Sequence, residues 1–166
     1  MSARMKTLLV LRHAKSSWRD PALDDHERPL NKRGQRDALQ MGELVRKHRL
    51  TPDIIISSDA VRARLSAEAV AEAARYEGEI LLDRRLYIAS PGGILAVLRT
   101  VRETKAGTVM IVGHNPGLEE LVEQLTGEQH DLPTAALARI VLPINRWRDL
   151  RVSTRGTLFG LWGPRS

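Results

Sequence analysis

The stretch Thr7-Leu-Leu-Val-Leu-Arg-His-Ala-Lys-Ser-Ser17 decides the fold, because an apolar run ends there at two polar residues. Leu8 to Leu11 is long enough for one buried strand and too short for a core helix. Arg12 and His13 therefore fall at the carboxyl end of a strand, where ligands bind in open α/β sheets. A neutral imidazole beside a fixed guanidinium suits a phosphoryl anion, so this stretch by itself fits an anion-binding strand end and equally a strand end that is simply polar.

Length and composition limit the classes of protein that the chain can be. With 166 residues we expect a single domain over 1–166 that buries about 70% of its unfolded surface. The absence of cysteine excludes disulfides, thiolate metal sites and cysteine-nucleophile phosphatases. No segment approaches the roughly 18 apolar residues of a membrane span, and Met1 to Lys6 contains no signal-peptide core. We therefore expect a cytoplasmic protein with no membrane partner.

The charge balance indicates anionic partners. The formal net charge is +6 and the isoelectric point is near 10.3. The basic residues are scattered among Asp and Glu, without the aromatic-interleaved patch that nucleic-acid binding favours. A phosphorylated small molecule or protein suits this charge, as does a basic surface that is only solvated, and we expect no nucleic-acid partner.

Strand-like and helix-like segments alternate along the chain. The predicted strands after the first are 54–58, 79–82, 108–113 and 137–144. The predicted helices are 31–47, about 60–76, one entered through 91–93 with its apolar stripe over 94–101, and one from Pro116 onward. The tail 151–162 is expected to be an irregular edge element. This alternation predicts an α/β fold, a three-layer α/β/α sandwich around a mostly parallel sheet.

The connection from Trp18 to Leu30 is too long for a simple link, and loops of that length are usually functional or disordered. Trp18 and Leu23 favour packing, so we interpret the segment as a binding loop. Gly34, in the first turn of the next helix, is expected to permit a close backbone approach. Asp59 is the predicted N-cap of the second helix.

Polar residues follow three of the predicted strands. His13 and His114 each follow an apolar run, and Arg62 lies just beyond 54–58. A parallel sheet carries all three to one edge, where they and Arg12 would surround a tetrahedral anion. Arginine offers a planar fork that matches phosphate oxygens. Imidazole can attack phosphorus and form a phosphohistidine that water resolves, while the other groups stabilise the equatorial oxygens.

Three segments resemble the histidine phosphatase superfamily, which has the phosphoglycerate mutase-like fold. They are Leu11-Arg-His-Ala14, Ser57-Ser-Asp-Ala-Val-Arg-Ala-Arg64 and Val112-Gly-His-Asn-Pro116. The chain looks most like the small SixA-type phosphohistidine phosphatases. The features that carry this likeness are its short length and the stretches Arg-His-Ala-Lys-Ser and Asp25-His-Glu-Arg-Pro-Leu-Asn-Lys-Arg-Gly34. The resemblance runs from about residue 8 to 125.

The resemblance implies roles for individual residues. Arg12 and Arg62 would be phosphate clamps, His13 the nucleophile, and His114 a second pocket histidine that donates to phosphoryl oxygens. Arg64 is the weaker choice for the second clamp, because it points about 200° away around the helix. We also expect substrate contacts from three further residues: Lys15, Ser16 and Asn115.

No metal or cofactor is expected. The two pocket histidines lack the spacing of a helical ligand pair, and the flanking arginines would repel a cation. The chain contains no nucleotide-binding or serine-hydrolase motif. Of the other histidines, His48 is expected to be a solvated helix-end cation and His130 to be exposed, whereas His26, in the long loop, is a candidate for substrate contact.

The substrate class depends on a general acid. Family members that cleave phosphate esters often carry a carboxylic acid after the third strand, and here Asp83 is followed by two arginines. A neighbouring cation lowers the pKa of a carboxyl group, so we leave Asp83 out of the catalytic set. The leading hypothesis is a metal-independent phosphatase acting on a phosphorylated protein (phosphohistidine) or a related phosphoramidate. The alternatives are a small-molecule phosphomonoesterase or mutase, and a phosphate- or nucleic-acid-binding module without turnover.

Overall fold

A six-stranded sheet and four α-helices form the part of the chain that the computed structural model describes, residues 5–102 and 105–164. The strands are β1 (Lys6–Arg12), β2 (Ile54–Ser57), β3 (Ile80–Leu82), β4 (Thr108–Gly113), β5 (Leu137–Leu142) and β6 (Thr157–Trp162). The helices are α1 (Lys32–Lys47), α2 (Val61–Ala73), α3 (Pro91–Leu98) and α4 (Gly117–Thr126). The expectation about Met1 to Lys6 lies mostly outside the described residues. Within them, no helix is long and apolar enough to cross a membrane.

The strand order, β3-β2-β4-β1-β5-β6, places the three polar strand ends side by side. Strands β3, β2, β4 and β1 pair in parallel, while β5 is antiparallel to both β1 and β6. The register pairs Arg12 with Gly113 and Ser57 with Val112. Residues that follow β1, β4 and β2 therefore emerge at the same edge of the sheet.

Alternate residues of β1 pack on opposite faces, which produces the three layers. Leu8 and Val10 belong to an apolar cluster with residues of α3 and α4. Leu9 and Leu11 belong to a second cluster with residues of α1 and α2. Because both faces are covered, the centre of the strand, Leu8 to Leu11, is a continuous apolar run, as is usual in parallel strands. The predicted three-layer α/β/α architecture is confirmed.

The tail contains a regular strand, so the prediction of an irregular element over 151–162 is wrong for its second half. Strand β6 pairs with β5 at the edge of the sheet. Its outward residues include Phe159 and Leu161, which are 60% and 38% exposed. Apolar residues on both faces hide the period-two alternation by which an edge strand is recognised in a sequence.

The start of α2 also differs from the prediction. Asp59 does not cap the helix, since its carboxylate accepts the His26 Nε2–H at 2.8 Å. The Ser58 hydroxyl instead accepts the Ala60 backbone N–H at 3.2 Å. The helix ends at Ala73, three residues before the predicted end.

Helix α1 begins as predicted. The Asn31 side chain caps it by accepting the Gly34 backbone N–H at 2.7 Å. A Cβ at Gly34 would overlap the Lys15 carbonyl oxygen. The predicted close approach therefore brings α1 against the loop that follows β1.

Candidate active site

The two strand-end histidines lie next to each other. The His13 N–H donates to the Gly113 carbonyl at 3.1 Å, which continues the β1–β4 pairing by one residue. The ring centroids of His13 and His114 are 5.1 Å apart, with the ring planes tilted by 51°. Both residues are buried, with 7% and 6% exposure. The predicted convergence of the β1 and β4 ends thus yields a pair of sequestered imidazoles.

A backbone contact fixes which nitrogen of His13 carries a hydrogen. Nδ1 lies 2.7 Å from the Ala14 carbonyl oxygen, which can only accept, so Nδ1 is the protonated nitrogen. Burial, together with the charges of Arg62, Arg12 and Arg28, outweighs the hydrogen bond to the Ala14 carbonyl and lowers the pKa of His13 to about 4. At neutral pH the ring is therefore uncharged and Nε2 has a free lone pair.

His114 is held by a hydroxyl group. Its Nε2 lies 2.8 Å from Ser58 Oγ. That hydroxyl already accepts the Ala60 N–H, so its own hydrogen can be donated to Nε2. Burial, then the neighbouring His13 and Arg62, lower the pKa of His114 to about 3. His114 Nδ1 is buried without a hydrogen-bond partner among the described residues, and the ring meets Tyr87 edge-on at a centroid distance of 5.5 Å.

Arg12 is anchored from the loop that precedes β5. Its Nη1 donates to the Leu132 carbonyl at 2.9 Å, and the Asn115 amide Nδ2 donates to the same oxygen at 2.8 Å. The Leu132 N–H in turn donates to Glu119 Oε2 at 2.7 Å. Burial lowers the Arg12 pKa, and within the part of the chain that the structure describes its buried Nε has no hydrogen-bond partner.

The same loop also holds the backbone of the first strand end. The Arg12 N–H donates to the Ala136 carbonyl and the Ala135 N–H donates to the His13 carbonyl, each at 3.0 Å. Sequence reasoning assigned no role to the segment after residue 126, because backbone carbonyls carry no residue-type signal. In the structure this segment positions both Arg12 and His13.

Arg62, not Arg64, faces the histidine pair. Its side chain is 8% exposed, and its charge lowers the pKa of both His13 and His114. Arg64 pairs with Glu68 at 2.9 Å on the outer side of α2 and is 37% exposed. The angular separation predicted from the helix period is therefore observed.

Asp25 and its neighbours complete the cluster, and sequence reasoning assigned them no role. The Asp25 carboxylate accepts hydrogen bonds from Arg62 Nη2 at 2.9 Å, Arg28 Nη1 at 3.1 Å and the Tyr87 hydroxyl at 2.7 Å. The Tyr87 hydroxyl, then the two arginines, lower the pKa of Asp25 to about 2. The signals in the sequence were that Asp25 and Arg28 fall in the predicted binding loop and in the stretch Asp25–Gly34 that resembles SixA-type proteins.

Arg28 is the residue that connects the predicted binding loop to the site, and Trp18 does not pack into the core. Arg28 is buried, donates to the Ser16 hydroxyl and the Ser17 carbonyl, and covers the Trp18 ring at 3.1 Å from its centroid. Trp18 itself is 74% exposed, so the expectation that it packs into the protein is wrong.

The three predicted substrate contacts have different surroundings. Lys15 has an exposed side chain, while its carbonyl accepts the Asn31 N–H at 3.0 Å. The Ser16 hydroxyl is bonded to Arg28. The Asn115 amide is committed to the Leu132 carbonyl, so it supports the Arg12 anchor.

The other histidines and Asp83 were also candidates from the sequence, and their surroundings differ. His26 contacts the Tyr87 ring edge-on at 4.8 Å, His48 is exposed beside Trp162, and His130 bonds to Glu128. Asp83 accepts two hydrogen bonds from the Arg85 side chain, which lower its pKa as expected. Among the described residues, no group of three or more histidine or carboxylate side chains is arranged to hold a metal ion.

Sequence comparisons identify relatives of the chain. The sequence model of the histidine phosphatase superfamily (branch 1) matches residues 8–87. An uncharacterised chloroplast protein of Arabidopsis thaliana is 32% identical over 96% of this chain and 73% of its own length. An uncharacterised protein of Mycobacterium tuberculosis is 36% identical over 93% of this chain and 100% of its own length.

Solved structures match along almost the whole chain. A protein of Nakamurella multipartitia, provisionally assigned as phosphohistidine phosphatase SixA, has a TM-score of 0.87 and 25% identity with both chains fully covered. One of Agrobacterium tumefaciens with the same provisional assignment has a TM-score of 0.79 and 30% identity, covering 96% of this chain and 98% of its own. These matches confirm the predicted phosphoglycerate mutase-like fold.

Proposed function

This chain belongs to the histidine phosphatase superfamily, and from that premise we propose that it hydrolyses phosphohistidine through a phosphorylated His13. The observation that carries the proposal is the state of His13. The ring is neutral, its Nδ1–H is held by the Ala14 carbonyl, and Nε2 is free beside a second imidazole and a group of guanidiniums. A buried neutral imidazole with a fixed tautomer is a nucleophile ready to attack phosphorus.

The reaction proceeds in two displacements. His13 Nε2 attacks phosphorus as the substrate P–N bond breaks, and the bonding pair returns to the leaving imidazole. That ring keeps the proton on its distal nitrogen and departs neutral. Water then attacks phosphorus, the P–Nε2 bond breaks with its electron pair returning to His13, and dihydrogen phosphate leaves.

The surrounding groups stabilise charge on the phosphoryl oxygens during both displacements. We assign this role to Arg12, Arg62 and His114, whose positions around His13 are fixed by contacts outside the reacting group. Lys15 and Ser16 are proposed to contact the substrate at the rim. Asn115 is assigned a positioning role, since its amide holds the carbonyl that anchors Arg12.

The choice of a P–N substrate rests on the ionisation of the nearby carboxylates. An alkoxide needs a proton from a neutral acid as it leaves, whereas a phosphorylated imidazole with a protonated distal nitrogen leaves without one. Asp25, with a pKa of about 2, and Asp83, bonded to Arg85, are both anionic at neutral pH. The structural likeness to proteins assigned as SixA favours the same substrate class, with a phosphorylated protein as partner.

Turnover of a substrate series tests this proposal. We expect kcat/KM to fall from phosphohistidine to aryl phosphate to alkyl and sugar phosphates, following the stability of the leaving group. His13→Ala, which lacks the nucleophile, is the control for contaminating phosphatases. Faster turnover of sugar or alkyl phosphates would indicate a small-molecule phosphomonoesterase or mutase with an unassigned acid. Binding of these compounds without turnover of any would indicate a non-catalytic module.

A further inference from the structure

The arginine donors nearest the histidine pair are already bonded to an anion that belongs to the chain. Arg62 donates through Nη1 to the Asp25 carbonyl at 2.6 Å and through Nη2 to its carboxylate at 2.9 Å. Arg28 donates to the other carboxylate oxygen at 3.1 Å. The carboxylate therefore lies between two guanidiniums that also act electrostatically on His13.

A carboxylate and a phosphoryl group recognise the same feature of arginine. Both present negatively charged oxygens to the planar N–H fork, so they compete for it when they reach the same donors. At neutral pH Asp25 is ionised, since Tyr87 and the two arginines stabilise its anion. The Asp25 carboxylate therefore competes with an incoming phosphoryl group for the arginine N–H donors.

The loop around Asp25 is fixed at its ends and exposed in its middle. The Ser17 N–H donates to the Pro29 carbonyl at 2.7 Å, and Ser16 forms an isolated bridge with Leu30. Between these anchors, the Asp25 side chain is 49% exposed, although Arg62 and Arg28 beneath it are buried. The carboxylate can leave the arginines for solvent without unpacking the core.

We propose that Asp25 is an internal counter-anion, which holds Arg62 and Arg28 in the free enzyme and is displaced when a phosphoryl group binds. The inference rests on the proposed function, in which Arg62 binds the phosphoryl group, and it extends that role to Arg28. Displacement of Asp25 weakens the binding of every phosphoryl ligand, including free phosphate. The site then releases its product readily and favours substrates that gain further affinity from contacts outside the phosphoryl group, as a phosphorylated protein does.

A matched pair of variants tests the proposal with inorganic phosphate as the probe. Asp25→Asn removes the charge and keeps the side-chain shape, while Asp24→Asn makes the same charge change one residue away, where the side chain is exposed and caps nothing. We expect phosphate to bind Asp25→Asn about tenfold more tightly than wild type, measured by calorimetry and as a product-inhibition constant. Asp24→Asn should match wild type in both measurements.

A second variant covers the case in which Asp25→Asn does not fold. Tyr87→Phe removes the hydroxyl that donates to Asp25 and leaves the ring beside His114. It should tighten phosphate binding in the same direction by a smaller factor. Unchanged phosphate binding in Asp25→Asn would overturn the proposal, since Asp25 would then have no effect on the ligand. Weaker binding would also overturn it, since Asp25 would then position Arg62 for its ligand.

The two proposals fail in different ways. If wild type hydrolyses phosphohistidine while Asp25→Asn and Asp24→Asn have equal phosphate affinity, the counter-anion is refuted and the phosphatase stands. If no substrate is turned over but Asp25→Asn binds phosphate more tightly, the phosphatase is refuted and the counter-anion stands.

Discussion

At the scale of single residues, the contact between His13 Nδ1 and the Ala14 carbonyl determines the chemistry of the site. The carbonyl can only accept a hydrogen bond, so the attacking nitrogen is Nε2. Burial then keeps the ring neutral, because a charged imidazole loses its hydration there. A residue type that titrates near neutrality is thereby kept in its nucleophilic form across the physiological range.

The ionisation of His13 is directly measurable. We expect the His13 ring to remain neutral until the pH falls to about 4, because the pKa of the folded protein is lowered to that value. An NMR titration of histidine-labelled protein reports the ring shifts. A His13 midpoint near the ordinary 6.5 would contradict the burial argument.

Alanine variants of the two arginines of α2 provide a second test at the scale of single residues. Arg62→Ala should lower kcat/KM by about 100-fold or more, since it removes a donor to the phosphoryl oxygens, and Arg12→Ala and His114→Ala should have similar effects. Arg64→Ala, which breaks only the surface pair with Glu68, should keep near wild-type activity. Full activity in Arg62→Ala together with a loss in Arg64→Ala would reverse the assignment.

At the scale of secondary-structure elements, the positions of the strand ends could be predicted from sequence. The loops that hold the side chains at those strand ends could not. Buried parallel strands are continuous apolar runs, so the points where polar residues begin, at Arg12 and at His114, are visible directly. The loop that anchors Arg12 acts through the Leu132 carbonyl, which any residue type would supply. Asp25 meets Arg62 across 37 positions of sequence from a loop without periodicity, so no local pattern could place it.

The packing of α1 on the loop after β1 gives a prediction about stability. Gly34→Ala should lower the free energy of unfolding by about 1–3 kcal/mol, because the new Cβ overlaps the Lys15 carbonyl and the backbone must shift. The matched control is Gly92→Ala in α3, where a Cβ would lie 3.9 Å from its nearest neighbour, Ser90 Oγ. The control should be neutral or more stable by up to about 1 kcal/mol, as measured by urea unfolding. Equal stability of the two variants would contradict the close approach.

At the scale of the whole molecule, the fold gathers positive charge at one edge of its sheet. Arg12 from β1, Arg62 from α2 and Arg28 from the long loop all act on His13, although they are far apart in sequence. The net charge of +6 indicated anionic partners but not where they bind. The location depends on the order of the strands, which composition does not specify.

This concentration of guanidinium charge predicts catalysis without a divalent metal ion. Activity should survive dialysis against EDTA, because the arginines supply the positive charge that metal ions provide in other phosphoryl-transfer sites. A metal-dependent phosphatase treated in parallel verifies the chelation. Loss of activity that returns with an added divalent ion would contradict the prediction.

Trapping the covalent intermediate tests the proposed mechanism most directly. Protein mixed with a ³²P-labelled phosphoramidate and quenched in alkaline denaturant should carry label that is lost on acidification, as expected for a P–N bond, and mass spectrometry should locate it on His13. His114→Asn should still acquire label, more slowly, because His114 stabilises the transfer without forming the bond. His13→Asn should acquire none, and stable label on that variant would contradict the assignment of His13 as the nucleophile.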